Sequence, residues 1–317
     1  MAPFDLPVDV ALARPIDRLP ASAGSDRVEP KLDGWRGVLA AGPAPRLYSR
    51  HGTDLSRAFS DVVQAAAELP PCVLDGEVIA VLATGALSFS RLQTRSGRGP
   101  RPGADFTVQF AAFDALADDT DLRPLPYLER RHRLLTLLEN APATIWPVPT
   151  TDDIDQAQAW FGSLGGGVEG CVLKPARSRY TAGYSSGWRK FRLTTTVEAV
   201  VVGIVPGSSP ARQAAVLAQP DAHGRLRPVG ISLPLGRAQR AELAPLLHPA
   251  GSDLAELPGT VGGLPGSAPV AFLPVEPEVV VEIETDERAE FARYRHRPKV
   301  KRVRGDLSPE HLVRVGR

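Results

Sequence analysis

The hydrophobic pattern changes near Arg192, and this change constrains the fold more than any other feature of the sequence. Before it, strand-like and helix-like patterns alternate; from Val197 onward nearly every periodic run is typical of a strand, with one amphipathic helix at 237–248. The later strand-like runs are 197–205, 212–219, 227–233, 279–285 and 300–304. Five short strands with one helix are typical of a small closed barrel such as the OB-fold. The length of 317 residues suits about two domains, and we place them at 1–193 and 197–317.

The first domain combines strands and helices, which predicts an α+β fold of antiparallel sheets flanked by helices. Residues 1–27 are rich in Pro, Ala and Asp and are predicted to be an extended lead-in. The strand-like runs are 38–40, 73–82, 107–113 and 169–174, and the helical patterns are 55–69, 125–138 and 152–164. Leucines 125, 128, 134, 135 and 138 supply the helical spacing of the second pattern.

Charge and cysteine content exclude several classes of protein. The formal net charge is +1, so any basic surface must be local. Cys72 and Cys171 are the only cysteines, which provides no disulfide framework and no metal-binding CxxC pair and fits a reducing compartment. The first residues lack the pattern of a signal peptide, and no apolar run is long enough to span a membrane. We expect a cytoplasmic protein.

Lysine is rare in this sequence, where it occurs five times among 37 basic residues. Arginine remains protonated under all ordinary conditions, whereas a lysine amine can lose its proton and act as a nucleophile. A lysine retained in such an arginine-rich chain is therefore a candidate for chemistry that arginine cannot perform.

Six short motifs follow one another in a fixed order, and each would be weak evidence alone. They are Glu29-Pro30-Lys31-Leu32-Asp33-Gly34-Trp35-Arg36, Ser49-Arg50-His51-Gly52, Leu74-Asp75-Gly76-Glu77, Ala112-Phe113-Asp114-Ala115-Leu116, Glu169-Gly170-Cys171-Val172-Leu173-Lys174 and Trp188-Arg189-Lys190-Phe191-Arg192. Three of the five lysines lie inside these motifs. With these motifs in this order, the sequence resembles the covalent nucleotidyltransferases, and most closely the ATP-dependent DNA ligases of the short bacterial ligase C and ligase D type, from about residue 29 to residue 309.

The resemblance implies an adenylation domain followed by an OB domain, and it implies a role for each motif residue. Lys31 is the catalytic residue that attacks the α-phosphate of ATP and carries AMP as a phosphoramidate. Asp33 and Glu169 are expected to bind Mg²⁺ or Mn²⁺, which takes oxygen ligands. In the nucleotide site, Glu29 is expected to contact the adenine amino group, Glu77 a ribose hydroxyl and Phe113 the adenine ring. The other nucleotide-binding residues are Leu32, Arg36, Arg50, Lys174, Lys190, Arg192 and Arg304, most of them cations that would stabilise charge on the phosphates.

Three positions depart from the family pattern. Leu307 stands where the closing R-x-D-K motif usually has lysine, so the orientation of pyrophosphate would depend on Arg304 or Lys301. Tyr184 stands where many members have arginine, and Arg192 replaces the second lysine of W-x-K-x-K. We expect self-adenylation to be the step that these departures affect most.

The implied activity is the sealing of nicks in double-stranded DNA in three steps: adenylation of Lys31, transfer of AMP to the 5′-phosphate, and attack by the 3′-hydroxyl. A basic Gly/Pro loop at 91–103 would help to hold DNA through Arg91, Arg95, Arg98 and Arg101. Ku-like end-binding proteins or repair polymerases are possible partners, near the bacterial nucleoid. The alternatives are an RNA ligase, a capping-type guanylyltransferase, or a weakly adenylating DNA-binding repair factor.

Overall fold

The chain divides into two compact units, Met1–Leu193 and Thr194–Arg317. The computed structural model describes residues 2–95, 99–100, 103–163, 167–257, 268–285, 289–290, 293–294 and 296–315. The predicted α+β class is confirmed: both units are built on strands paired mainly antiparallel, with a few short helices. Within these residues, no helix combines the length and the apolar character needed to cross a membrane.

The first unit contains two sheets. Its strands are β1 (Arg14–Ile16), β2 (Asp26–Leu32), β3 (Trp35–Ala41), β4 (Arg46–Ser49), β5 (Cys72–Leu82), β6 (Phe106–Ala117), β7 (Ile145–Pro147), β8 (Val168–Pro175) and β9 (Arg189–Arg192). Its helices are α1 (Ser60–Ala66), α2 (Phe89–Gln93), α3 (Tyr127–Leu137) and α4 (Ile154–Ala159). One sheet has the order β4-β3-β5-β6-β7 and the other β1-β9-β8-β2. The β1–β9 and β6–β7 pairs are parallel, and the other neighbouring pairs in these sheets are antiparallel.

The two faces of strand β5 contact different parts of the first unit. Leu74, Val78 and Ala80 point to the core formed with the helices, while Ile79 packs with Leu32 of the second sheet. Since successive side chains of a strand point to opposite faces, the odd-numbered polar residues of β5 point toward the second sheet. The sequence L-D-G-E therefore directs its two carboxylates into the space between the sheets.

Helix α3 packs differently from the leucine spacing that predicted it. Leu128 and Leu135 are exposed, and the buried residues of the helix are Tyr127, Arg130, Arg131 and Leu134. Arg130 is fully buried and bonds both oxygens of the buried Asp114 on β6, at 2.7 and 2.9 Å. An arginine can occupy a core position when a carboxylate satisfies its guanidinium. The leucine spacing therefore predicted the helix, and Leu134 is buried as that spacing suggests, but it did not predict the two arginines on the buried face.

The second unit is a curled, nearly closed sheet. Its strands are β10 (Thr195–Val205), β11 (Ala214–Pro220), β12 (Leu226–Ile231), β13 (Ala255–Leu257), β14 (Val270–Pro274), β15 (Val280–Thr285), β16 (Ala289–Glu290), β17 (Arg293–Tyr294) and β18 (Lys299–Val303), with helices α5 (Arg237–Leu243) and α6 (Pro309–Val315). The long β10 pairs with β11, β14 and β15, and β15 pairs with β18. A bond from the Leu233 amide to the Pro298 carbonyl, 2.7 Å long, links the segment after β12 to the segment before β18. This architecture is consistent with the expected OB-like barrel.

Several predicted boundaries are wrong for identifiable reasons. The helix expected at 237–248 ends as α5 at Leu243, because Pro245 cannot continue α-helical hydrogen bonding and a short 3₁₀ turn follows. Strand β14 was missed because its apolar run is short and follows a Gly/Pro-rich stretch, whose residues 258–267 lie outside the described part of the chain. Within the expected lead-in at 1–27, residues 14–16 form β1 and residues 26–27 begin β2.

The prediction that the loop at 91–103 helps to hold DNA is wrong for Arg95. Its side chain is 5% exposed and its guanidinium bonds both oxygens of Asp61 at 2.8 Å and the Ala58 carbonyl. Arg91 lies in α2 and pairs with Asp105 at the surface, while Arg98 and Arg101 lie outside the described residues. Arg95 is therefore an internal ion-pair partner of α1 and is not available to a phosphate.

This ion pair leads to a stability prediction. We expect Arg95→Ala to lower the free energy of unfolding by about 1–3 kcal/mol, because Ala58 and Asp61 lose charged hydrogen bonds. The slope of log affinity for nicked DNA against log salt should not change. Urea unfolding and salt titrations measure the two quantities, with the exposed Arg91→Ala as a matched control that changes stability little. A flatter salt slope at unchanged stability would restore Arg95 to the DNA surface.

Candidate active site

Lys31 lies at a β-bulge near the end of β2. The pairing with β8 shifts between Pro30, which is opposite Cys171, and Leu32, which is opposite Val168. A bulge bends a strand locally and redirects its side chains. The Lys31 ammonium nitrogen lies 2.5 Å from Oε2 of Glu169 on β8. The second-sheet pairing thus joins the K-x-D-G and E-G motifs, which are far apart in the sequence.

Two glycines of these motifs are required by close backbone approach. A β-carbon on Gly34 would lie 2.2 Å from the Val78 carbonyl oxygen of β5. A β-carbon on Gly170 would lie 2.2 Å from the Phe191 carbonyl oxygen of β9, and the φ of Gly170 is +145°, which other residues rarely adopt. Glycine at these two positions lets the strands carrying Lys31, Glu77 and Glu169 pack closely.

A cavity of about 230 Å³ opens between the two sheets of the first unit. Nine of the residues predicted to bind the nucleotide or to react with it line this cavity, namely Glu29, Lys31, Leu32, Arg36, Arg50, Glu77, Phe113, Lys174 and Lys190. Leu12, Ala13, Tyr184 and Trp188 also line it. The residues therefore converge on one site, as the motif order predicted.

One part of the cavity wall is a buried ion pair between Lys174 and Glu29. The nitrogen of Lys174 lies 2.8 Å from Glu29 Oε2 and donates to the Phe113 carbonyl at 2.9 Å. The Tyr127 hydroxyl donates to Glu29 Oε1 at 2.5 Å. Burial lowers the pKa of Lys174, opposed by the charges of Glu29 and Asp114. The rings of Phe113, Trp188 and Tyr127 lie 4.2–5.1 Å from this nitrogen, so cation–π attraction helps to keep the buried ammonium charged.

A second part of the wall is cationic. Burial lowers the pKa of Lys190, and the charges of Lys31, Arg192 and Arg50 lower it further. Arg192 does not line the cavity in the described part of the chain; its guanidinium lies 3.5 Å from Glu169 Oε2. Positive charge is thus concentrated around Lys31, where a polyphosphate would be attracted.

Of the two carboxylates expected to bind metal, Asp33 directly follows β2, and Glu169 lies on β8, the strand that pairs with β2. The Asp33 amide donates to the Gly167 carbonyl at 3.0 Å, just before Glu169 on β8. Glu169 is bonded to Lys31 and Arg192. The backbone pairing therefore places Asp33 beside the segment that carries Glu169.

Arg36 is held by Asp75, a residue of the L-D-G-E motif to which the sequence assigned no role. Its Nε and Nη2 each donate to one carboxylate oxygen at 2.6 Å, and its guanidinium carbon lies 4.5 Å from the centre of the Phe113 ring. Tyr127 and Tyr180 were also missed. Both hydroxyls are bonded to carboxylates next to the cavity, and isolated tyrosines give no sequence signal for such contacts.

Tyr184, one of the three positions where the sequence departs from the expected family pattern, has a cation beside it. The guanidinium carbon of Arg14 lies 5.0 Å from the centre of its ring. Arg14 belongs to β1, whose parallel pairing with β9 places it opposite Arg189. A positive charge on β1 is thus present beside residue 184.

Arg304 belongs to the second unit. Its guanidinium bonds both oxygens of Asp306, at 2.9 and 2.8 Å, and Glu198 on β10 at 2.6 Å. These carboxylates raise the pKa of Arg304. The arginine and the aspartate of the R-x-D motif therefore act as a pair, with Glu198 as a further partner.

Glu77 provides a pH-dependent prediction. Burial raises its pKa to about 7, with opposing contributions from Lys31 and Arg36. The folded state therefore binds a proton that the unfolded state has lost, so this stabilising contribution is complete below about pH 4.5 and disappears as the pH rises through about 7. Glu77→Gln should become more stable relative to the wild type by about 2–3 kcal/mol between pH 5 and pH 8. Thermal unfolding at both pH values measures this, and a difference independent of pH would contradict it.

The first unit has the fold and the site of a nucleotidyltransferase, and the second unit is an OB-like barrel. The family "ATP dependent DNA ligase domain" matches residues 12–192. DNA ligase C2 of Mycolicibacterium smegmatis is 31% identical over 328 residues, which cover 95% of this chain and 91% of that protein. The chain belongs to the ATP-dependent DNA ligase family.

Two further relatives extend the comparison. The multifunctional non-homologous end joining DNA repair protein LigD of Mycobacterium tuberculosis is 32% identical over 90% of this chain, which spans 37% of the length of LigD. A solved Lig E DNA ligase has a TM-score of 0.56 at 18% identity and covers 94% of this chain and 100% of its own. The last likeness concerns the fold alone.

Proposed function

We propose that this chain seals nicks in double-stranded DNA through a covalent Lys31–AMP intermediate. The observation that carries the proposal is the position of Lys31: at a strand bulge, bonded to Glu169, and facing a cavity that Arg50 and Lys190 also line. After losing a proton, the Lys31 nitrogen would use its lone pair to form an N–P bond to the α-phosphate. The bond from that phosphorus to the pyrophosphate oxygen would break, and pyrophosphate would leave with the electron pair.

The rest of the cavity suits an adenine nucleotide. Because the carboxylate of Glu29 already accepts bonds from Tyr127 and Lys174, its remaining lone pairs favour a donor such as the adenine amino group. Phe113 offers a ring for stacking, and Glu77 an acceptor for a ribose hydroxyl once it is ionised. Lys174 would act by holding Glu29, and Lys190, Arg50, Arg36 and Arg192 would stabilise phosphate charge.

We include a divalent metal, Mg²⁺ or Mn²⁺, in this proposal. Within the described residues no group of three or more His, Cys, Asp and Glu side chains could hold a metal. Mg²⁺ commonly binds one or two carboxylates together with phosphates and waters, so Asp33 and Glu169 suit it by their donor chemistry. Bound there, the metal would neutralise phosphate charge. EDTA should abolish adenylation, and added Mg²⁺ or Mn²⁺ should restore it; activity that survives full chelation would contradict these roles.

Arg304 is proposed to act on the β- and γ-phosphates, with Lys301 as a second cation because residue 307 is leucine. Arg304→Ala should reduce labelling of the protein by ATP while sparing the sealing of a nick that is already adenylated, since that step releases no pyrophosphate. Lys299→Arg, on the strand that ends just before Arg304, is the control. Equal losses in both reactions would refute a role confined to pyrophosphate.

The direct test uses radiolabelled ATP and GTP, followed by nicked duplexes. We expect a covalent adduct with ATP and not GTP, and sealing of a nick between DNA strands. Preference for GTP would indicate a guanylyltransferase, and preference for RNA strands an RNA ligase. Binding of nicked DNA without an adduct would indicate a repair factor that does not ligate. A Ku-like protein or a repair polymerase, the proposed partners at the nucleoid, should raise sealing of broken ends if it recruits this chain.

A further inference from the structure

Four groups from separate parts of the first unit form a closed ring of hydrogen bonds beside the cavity. The Tyr180 hydroxyl donates to Asp75 Oδ2 at 2.5 Å, and Asp75 accepts two bonds from Arg36. Nη2 of Arg36 also donates to the Ala11 carbonyl at 3.1 Å. The ring closes where the Ala11 amide donates to the Tyr180 hydroxyl oxygen, also at 3.1 Å.

The ring is buried, so the loss of any one of its hydrogen bonds would be costly. Asp75 and Ala11 are fully buried, and Tyr180 is 5% exposed. Burial and the charge of Asp75 raise the pKa of Tyr180 well above its usual value, so the hydroxyl keeps its proton and donates. A buried carboxylate depends on every donor around it, and an unpaired one is costly. The ring therefore holds the Asp75 carboxylate in place and, through it, the orientation of Arg36.

The segment of the chain before β1 is part of the same arrangement. The Leu12 amide donates to the Gly183 carbonyl at 2.6 Å, and the Gly183 amide to the Val10 carbonyl at 3.0 Å. Val10 and Ala11 pack in one apolar cluster with Tyr180 and Trp188. The main chain of residues 10–12 is thereby held against the turn that carries Tyr180.

We propose that Tyr180 is a positioning residue for nucleotide binding. The main chain at Ala11 supports it by bonding both the Tyr180 hydroxyl and the Arg36 guanidinium. Tyr180 is absent from the described lining of the cavity, whereas Arg36 lines it. Tyr180 acts through Asp75 to hold the Arg36 guanidinium over the Phe113 ring. Without the hydroxyl, Asp75 loses one donor and the Ala11 amide loses its acceptor, so Arg36 can rotate away from the ligand. The inference rests on the proposed assignment of this cavity to ATP.

Tyr180→Phe tests the inference in the full chain, with Tyr127→Phe as the matched control. Both variants remove one buried hydroxyl that donates to a carboxylate at 2.5 Å. Loss of a bond to a charged group should raise the KM for ATP in Lys31 adenylation about tenfold in Tyr180→Phe, with kcat nearly unchanged because ground-state and transition-state binding suffer alike. Tyr180→Phe should keep the wild-type preference for ATP over GTP. Tyr127→Phe, which alters the surroundings of Glu29, should reduce that preference.

The outcomes separate this inference from the assignment of the cavity. The inference is overturned if Tyr180→Phe has a wild-type KM, or if it loses nucleotide preference as Tyr127→Phe does, while Lys31→Ala still abolishes the adduct. If Lys31→Ala retains the adduct, the assignment of the cavity itself is wrong. Ala11→Pro, which removes the backbone N–H that donates to the Tyr180 hydroxyl, is the second variant and replaces Tyr180→Phe if that protein does not fold. It should raise the KM in the same direction by about threefold, and an unchanged KM would overturn the inference.

Discussion

Lys31→Ala and Lys31→Arg are both expected to reduce the covalent AMP adduct more than about a thousandfold, the scale of losing a catalytic nucleophile. Alanine removes the attacking nitrogen. Arginine keeps the positive charge beside Glu169 but cannot supply a neutral amine. The arginine variant therefore distinguishes the loss of a nucleophile from the loss of a positive charge.

The adduct is measured by transfer of label from ATP and by mass spectrometry of the peptide that contains residue 31. Lys299→Arg, an exposed exchange of the same type on β18, should label like the wild type. Thermal unfolding should show that Lys31→Arg remains folded. A normal adduct on either Lys31 variant would place the nucleophile elsewhere.

Lys174→Met should be the most destabilising of the single changes considered, by about 3–5 kcal/mol. Lys174 and Glu29 are 1% and 2% exposed, so loss of the ammonium leaves a carboxylate buried without its counter-charge. Urea unfolding measures the loss, and ATP labelling should fall with it because the Glu29 side chain is then no longer held by the Lys174 ammonium.

The double variant Glu29→Gln with Lys174→Met distinguishes stability from recognition. Removing both charges should recover much of the lost stability, because no unpaired charge remains. The preference for ATP over GTP should not recover, since the amide of glutamine offers a donor as well as an acceptor. If the double variant is as unstable as the sum of the single variants, the two side chains are not energetically coupled.

The sequence alone placed Lys31 with the other motif residues that line the cavity, and it predicted strands that carry the motifs and the change of pattern between the two units. It did so because the motif residues are polar or glycine at positions where a strand would otherwise be apolar, as at Asp75 and Glu77. Those departures from hydrophobic alternation are visible in the sequence. They point to the cavity between the sheets because side chains alternate along β5.

Contacts made by ordinary core residues could not be predicted. The buried face of α3 carries Arg130 because Asp114 lies opposite on β6, and that pairing exists only in three dimensions. Arg95 looked like part of a basic surface because its partner, Asp61, is 34 residues away in the sequence. Tyr180 is 105 residues from Asp75. The sequence shows that these residues are charged or aromatic, but tertiary packing determines which residues they contact.

The placement of the lysines has a practical consequence for chemical modification of this protein. Lys174 is sealed in the core, so the lysine amines open to an acylating reagent are those of Lys31 and Lys190 at the cavity and of Lys299 and Lys301 on β18. Amine-coupled dyes or sensor surfaces would therefore either attach at β18 or block the cavity. Saturating ATP during coupling should direct the reagent to β18, which provides a defined point of attachment on a chain with few lysines.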